Sequence, residues 1–357
     1  MKTYIKFLIN LFNISFLKIF LIFFMIILIT NVLEQIEFFR NINLNFFYII
    51  FLSFLNTPAI VFEILPFILL ITTQIFFISL IDKKELEIFK YTGLNNFKII
   101  KIISVYSFII GLISVVIFYN VSAIFKNSFL LIKNNYSDDK KYLAVITDNG
   151  LWIKDEIGNN INIINAEGVD GAFLLDVSIT QFNNNFDLIR IINAKKIDIS
   201  SFNWKIYEPL IIKKNKEDKI NDMILQSNFD LKRINSLFSN LSSLTLFELI
   251  TLRKNYKILN YSLIDIDSHL YKIVTYPIYL TLITIFSALI MFNIGYQKNS
   301  FFKITLGIFM SVIIYYINYF INILGINGKI PLLVSIFIPL ILLTMVNFIS
   351  IIKLNEK

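Results

Sequence analysis

The chain has 357 residues, 56% of them hydrophobic, and its mean hydropathy of +0.70 excludes an ordinary water-soluble domain. It contains no cysteine, so thiol catalysis, disulfides and Cys-ligated metal centres are excluded. The net charge of +8 sits on lysines at the ends of apolar segments, a distribution that suits anionic lipid and not nucleic acid.

Residues 1–7 carry Lys2 and Lys6 and no acid, and an apolar run follows over 8–33. That run exceeds the ~20 residues a bilayer span needs. No small-residue cleavage site follows Ile29, so it reads as an uncleaved first span rather than a signal peptide. Lys18 within it reads either as a lysine snorkelling to the cytoplasmic interface or as a gate or lipid contact. Residues 34–45 form a short external loop with Glu34, Glu37 and Arg40. The apolar stretch 46–81 is too long for one span, and Asn56-Thr57-Pro58 offers a break. The expectation is an interfacial helix followed by a second span over 58–81, with Glu63 near its start at headgroup level or paired inside a bundle.

Residues 82–93, DKKELEIFKYTG, make a charged island between apolar segments. Asp82 with Glu85 has the spacing of a capping box, and Gly93 stands where a helix takes a left-handed stop. Glu85, Ile88 and Phe89 then share one face, a single acid among apolar side chains, which is the pattern of a docking helix. A third span over 97–120, capped by Asn96, follows.

From about residue 121 to 261 the chain turns polar, with short β-like runs at 142–147, 151–154, 161–164, 173–180, 188–192, 196–199, 204–206 and 209–212. Asp148-Asn149-Gly150 and Gly158-Asn159-Asn160 separate them, as in an all-β sandwich or barrel. Thr245 and Glu248 mark a short helix with a second capping box. Three more spans occupy 271–294, 301–324 and 331–352. The expected fold is a six-span α-helical membrane protein with an inserted β domain, divided as 1–122, 123–262 and 263–357. Short-loop cations gather on one side (Lys2, Lys6, Lys83, Lys84, Lys90, Lys98, Lys101, Lys298, Lys303, Lys353 and Lys357), against Arg40 and Lys329 on the other. That asymmetry puts both termini and 82–93 in the cytoplasm and the β domain outside.

No HExxH, GxSxG or P-loop motif is present, so neither the usual hydrolases nor ATP hydrolysis by this chain is expected. The lone His269, before the fourth span, reads as structural. The best enzyme lead is Glu34 with Glu37, acids that could serve a metal-dependent glycosyl- or phosphotransferase; their bland reading is a charged interfacial turn. Asp265 and Asp267 have the same standing. A non-transporting envelope scaffold is the other alternative.

Four motifs in order resemble the LptF/LptG permeases of lipopolysaccharide export. Glu85-Leu86 followed by Gly93 is similar to that family's coupling helix. Thr57-Pro58 and Leu65-Pro66 are similar to its second-span signature. Gly150-Leu151-Trp152-Ile153-Lys154-Asp155 resembles its G-x-W-x-K-D strand, and Lys272 with Pro277 its entry to the fourth span. Within the family, residues 61–93 and the overall length are more similar to LptG than to LptF.

The resemblance implies a bacterial inner-membrane permease with a periplasmic β-jellyroll-like domain. Its implied partners are an LptB-like ATPase dimer, a paired LptF-like permease, LptC-like and LptA-like periplasmic proteins, and lipopolysaccharide. No catalytic residue, metal or cofactor of its own is implied. The first and fifth spans would form a lateral gate, and edge strands of the β domain would pair with partner strands. The ATPase contact would comprise Glu85, Leu86, Ile88, Phe89 and Gly93. Arg40, by region rather than by motif, and Lys18 would contact lipid; the family's fuller set of cations at the outer end of the first span is missing here.

Overall fold

The computed structural model describes residues 3–40, 42, 44–136, 151–213, 216–231, 233–234, 240–258, 261–293 and 300–355. The chain forms two compact units, Met1–Lys126 with Ile264–Lys357, and Asn127–Leu263.

The first unit is helical. Helices α1 (Thr3–Phe38) and α2 (Phe46–Asp82) precede the short α3 (Glu85–Tyr91). A long helical run then begins with α4 (Asn96–Ile113), passes through a π-helical segment (Ser114–Phe118) and continues as α5 (Tyr119–Asn135). After the inserted unit, and its helix α6 (Leu246–Ile258), come α7 (Ile264–Asn293), α8 (Ser300–Ile326) and α9 (Leu332–Asn355). Among the described residues six helices are long and apolar enough to cross a membrane: α1, α2, the α4–α5 run, α7, α8 and α9.

Helix α2 is the centre of this unit, packed against α1, α7 and α8. Its Leu65, Ile68, Leu69, Phe76 and Phe77 are sealed in a core with Phe12, Leu280 and Ile283. Lipid tails are as apolar as these side chains, so burial alone does not hold spans together, and packing detail and polar ties must. Several helix pairs carry such ties. Asn31 Nδ2 of α1 donates to Thr57 Oγ1 of α2 at 3.1 Å, and Tyr106 OH of α4 to Asn13 Oδ1 of α1 at 2.7 Å. Ser287 Oγ of α7 donates to Leu70 O of α2 at 2.7 Å, and Asn347 Nδ2 of α9 to Leu282 O of α7 at 2.9 Å.

The expected break at Asn56-Thr57-Pro58 is absent: α2 is one 37-residue helix with Pro58 and Pro66 inside it. Both sides of the would-be break are held. Thr57 Oγ1 donates back to Ser53 O at 2.8 Å, while Asn31 bonds both Thr57 and Asn56. Hydroxyl side chains and a neighbouring helix are what let a spanning helix keep its prolines. The third helical run is also longer than expected, passing 120 to reach Asn135, and its cap is Asn95 rather than Asn96, accepting from Lys98 N at 2.9 Å.

The second unit is built on an eight-stranded antiparallel sheet. Strands β1 (Leu151–Ile157), β2 (Asn160–Asp170), β3 (Phe173–Asn183) and β4 (Leu188–Asp198) form a meander. The two runs expected at 188–192 and 196–199 are the two ends of β4. One end pairs with β5 (Asn203–Tyr207), the other with β6 (Leu210–Lys213), so the sheet divides there. β5 continues to β8 (Asp222–Gln226) and β6 to β7 (Lys216–Lys219), giving an antiparallel half-barrel of jellyroll-like kind. Alternation on β1 buries Leu151, Ile153 and Asp155 and exposes Trp152, Lys154 and Glu156, the period-2 signature of a half-buried strand. The strand expected at 142–147 and the turn at 148–150 lie outside the described residues. Strands β7 and β8 escaped the sequence reading; Lys216–Lys219 is exposed and wholly charged, with no apolar face to read.

Candidate functional site

The end of α2 and all of α3 form the first candidate site. The capping box between Asp82 and Glu85 is not formed. Asp82 is still part of α2, whose last turn closes through Lys83 N to Ser79 O, and Lys84, at φ 57, makes the turn into α3. No side chain caps the N-terminus of α3. Its far end stops as its sequence demands: Gly93 is left-handed at φ 80, and Leu94 N reaches back to Phe89 O at 2.9 Å.

The face expected to be exposed is split. Leu86 is 2% exposed and belongs to the core of the first unit, so it anchors α3 rather than presenting it. Phe89 turns the same way, half-buried and 6.0 Å from Phe7 of α1 by ring centroids. The spacing put Phe89 beside Ile88, but a seven-residue helix laid against α1 and α2 must bury some of its apolar positions. What remains outward is Ile88, 59% exposed, Tyr91, 90% exposed, and the charged Glu87 and Lys90. Glu85 lies half-buried at the N-terminal turn, and its Oε2 has no hydrogen-bond partner among the described residues. The arrangement is a short rigid helix, bolted by Leu86 and Phe89 to two spans, with an aromatic and aliphatic outer face and an acid at its base.

Lys18 and Arg40 are both exposed, but they do not form one site. They lie 22 positions apart along and just beyond α1, roughly 30 Å at the helical rise. Glu34 and Glu37 stand on the exposed last turns of α1, and among the described residues no His, Cys, Asp and Glu side chains converge as a metal site.

A second polar cluster joins α2, α5 and α7. Glu63 lies within electrostatic reach of Lys126 and Lys272, and both lysines lie within reach of His269. His269 Nε2 is 2.9 Å from Tyr119 OH, and Tyr276 donates to the carbonyl of Phe62. Glu63 itself is exposed, with two lysines within electrostatic reach of it. Lys126 was not singled out by the sequence; the signal available was a cation near the end of an apolar run, facing an acid near the start of another.

In the β unit the G-x-W-x-K-D segment ends on Asp155, which is 1% exposed. Ser227 Oγ donates to its Oδ2 at 2.8 Å, and Asn228 donates to its Oδ1 from Nδ2, also at 2.8 Å. The same Asn228 amide donates to Glu156 O at 2.8 Å. The residues that follow β8 are therefore fastened to β1, at the other end of the strand order. Burial pushes the Asp155 carboxyl above its ordinary value, against the opposing pull of the Ser227 and Asn228 hydrogen bonds.

A family model described as lipopolysaccharide export system permease LptF/LptG matches residues 6–353. No curated protein matches the chain. The match takes in all six long helices and the β unit alike. This chain therefore belongs to the LptF/LptG family, the multi-pass inner-membrane permease of the lipopolysaccharide-export ABC transporter.

Proposed function

We propose that this protein is the permease half that receives the ATPase through α3 and draws lipopolysaccharide from the membrane into its β unit. The observation that carries the reading is α3 itself. It hangs from the end of the most buried span, is anchored by Leu86, and turns Ile88 and Tyr91 outward. A helix fixed to its own spans and apolar on its outer side is suited to pass on a push as a rigid body. The partner in this reading is an LptB-like ATPase dimer, and Glu85, at the start of α3, pairs with one of its cations.

A paired permease accounts for the apolar flanks of α1 and α8, the two least buried spans. We infer the LptG half from the similarity of residues 61–93 and the chain length, with an LptF-like chain opposite. In the same reading both termini and α3 face the cytoplasm. The β unit stands in the periplasm and hands lipid to LptC-like and LptA-like strands; among the described residues, strands β1, β7 and β8 stand at the ends of the pairing order. Arg40 grips lipid phosphate by its planar guanidinium, and Lys18, about 30 Å away, makes a separate contact.

The test is co-purification in detergent of the ATPase with this chain and its paired permease. Wild type should retain the ATPase, and an Ile88→Asp, Tyr91→Ala variant that inserts normally should lose it. Retention by that variant would refute docking at α3. Glu85→Lys should weaken retention and lipid release together.

A further inference from the structure

Eight residues before the end of α2, Gln74 is completely buried, and its Nε2 donates to Lys303 O of α8 at 2.9 Å. A side-chain amide reaches the backbone of another span only if that span leaves a gap. Gly307 leaves it. A Cβ built on Gly307 would sit 1.9 Å from Gln74 Nε2 and 2.7 Å from its Cδ, far inside contact distance. Lys303 and Gly307 are one helical turn apart, so the accepting carbonyl and the missing side chain lie on the same face of α8.

Opposite charges of the same two helices lie nearer α3. Lys303 is 3% exposed, and Asp82, the last residue of α2, lies within electrostatic reach of it. The first turns of α8 are thus held to α2 at Gln74, and the exposed Asp82 carboxylate lies about 12 Å further along α2, at the point from which α3 hangs. Gln74 Oε1 has no hydrogen-bond partner among the described residues, although it is buried. An amide satisfied at one end only is a poor filler for a static apolar contact, and points to a role beyond packing. The helix it grips has the least buried flank of the six long helices, carrying Phe309, Tyr316 and Phe320 outward.

We propose that Gln74, seated in the notch at Gly307, is the positioning residue that makes α8 follow α2 and α3 when α3 is displaced. This rests on the reading of α3 as the ATPase-docking helix. Without the bond, α2 keeps only apolar contacts and the exposed Asp82 charge against α8, and a push at α3 is dissipated before it reaches the flank of α8.

The test uses the full complex of this chain, its paired permease and the ATPase in proteoliposomes loaded with lipopolysaccharide. The quantity read is lipid released per ATP hydrolysed, alongside thermal stability. Gln74→Met, close in volume but unable to donate, should lower the ratio at least fivefold while ATP is still hydrolysed. Gly307→Ala should lower both the ratio and the melting temperature, because the new Cβ displaces the amide. The Gln74→Ala, Gly307→Ala double variant removes that clash, and should regain the melting temperature without regaining the ratio. Recovery of the ratio in the double variant, or an unchanged ratio in Gln74→Met, would reduce the contact to packing and overturn the proposal. Failure of wild type to retain the ATPase would instead remove the docking reading on which it stands.

Discussion

Ser227 Oγ donates a 2.8 Å hydrogen bond to Asp155 Oδ2, joining the residue just past the last strand of the sheet to the middle of the first. In sequence they are 72 residues apart. The bond converts an open run of strands into a clasped half-barrel, and it explains why a strand reading as alternating apolar and polar residues places a carboxylate on its buried face. Replacing Asp155 by Ala leaves Ser227 Oγ and Asn228 N without their acceptor, while the Asn228 side-chain amide keeps Glu156 O. Buried donors left unpaired cost about 1–3 kcal/mol. Hydrogen exchange on the intact chain should show β1 amides losing that much protection, while α7 amides keep theirs.

The same carboxyl supplies a pH dependence whose sign follows from its direction. Its folded value is raised above the ordinary 3.8, chiefly by burial. Between 3.8 and the folded value the folded chain holds a proton that the unfolded chain has released. Stability contributed by this group therefore falls as pH rises through that interval, stays low above it, and is undiminished below it. Asp155→Asn abolishes the titration. The stability of wild type relative to Asp155→Asn should decline as pH is raised from 4 and then level off, as followed by denaturant unfolding of the β unit. A relative stability that rises over this interval would mean that hydrogen bonding outweighs burial at this site.

The six spans, the inserted β unit and the stop at Gly93 could be read from residue types because each rests on a local rule. A span needs only length and apolarity, a left-handed turn needs a glycine, and Thr245 with Glu248 closes its capping box, Thr245 N donating to Glu248 Oε2 at 2.8 Å. What could not be read depends on partners far away in sequence. Pro58 fails to break α2 because Asn31, 26 residues earlier than Thr57, bonds the suspect turn. Asp82 and Glu85 fail to form their box because α2 runs on through Asp82 and the left-handed Lys84 starts α3 afresh. Leu86 and Phe89 face inward because α1 is there to cover them. The tie from Gln74 to Lys303 spans 229 positions, and no periodicity within α2 announces it.

The split of α3 into anchor and face gives two variants with opposite signatures. Leu86→Ala removes a fully buried side chain, a change that costs about 2–5 kcal/mol where the site cannot collapse. Its effect should be local: proteolysis near residues 82–93 becomes faster, and the ATPase is lost because the helix is no longer held. Ile88→Asp touches no buried surface and should leave proteolysis at wild-type rate while still abolishing ATPase retention. Equal protease sensitivity in the two variants would contradict the division of roles between these residues.

Gly111 and Gly168 separate glycines that are needed for space from those that are not. A Cβ on Gly111 would lie 2.7 Å from Pro277 Cα and 3.1 Å from Pro277 Cβ, whereas one on Gly168 meets nothing within 4 Å. The obstacle at Gly111 is the backbone of α7 itself, stiffened by a proline ring, so it cannot be relieved by a change of rotamer. The α4 and α7 helices would have to move apart, one turn before the π-helical segment at Ser114–Phe118 begins. Overpacking of this kind costs about 1–3 kcal/mol. Gly111→Ala should lower the melting temperature of the purified protein in detergent, and Gly168→Ala should not. Because the added atom is the same methyl group in both, any difference between the two measures the closeness of α4 to Pro277 and not the removal of a flexible residue. A Gly111→Ala protein that melts with wild type would mean that these two spans are not in contact in the folded protein.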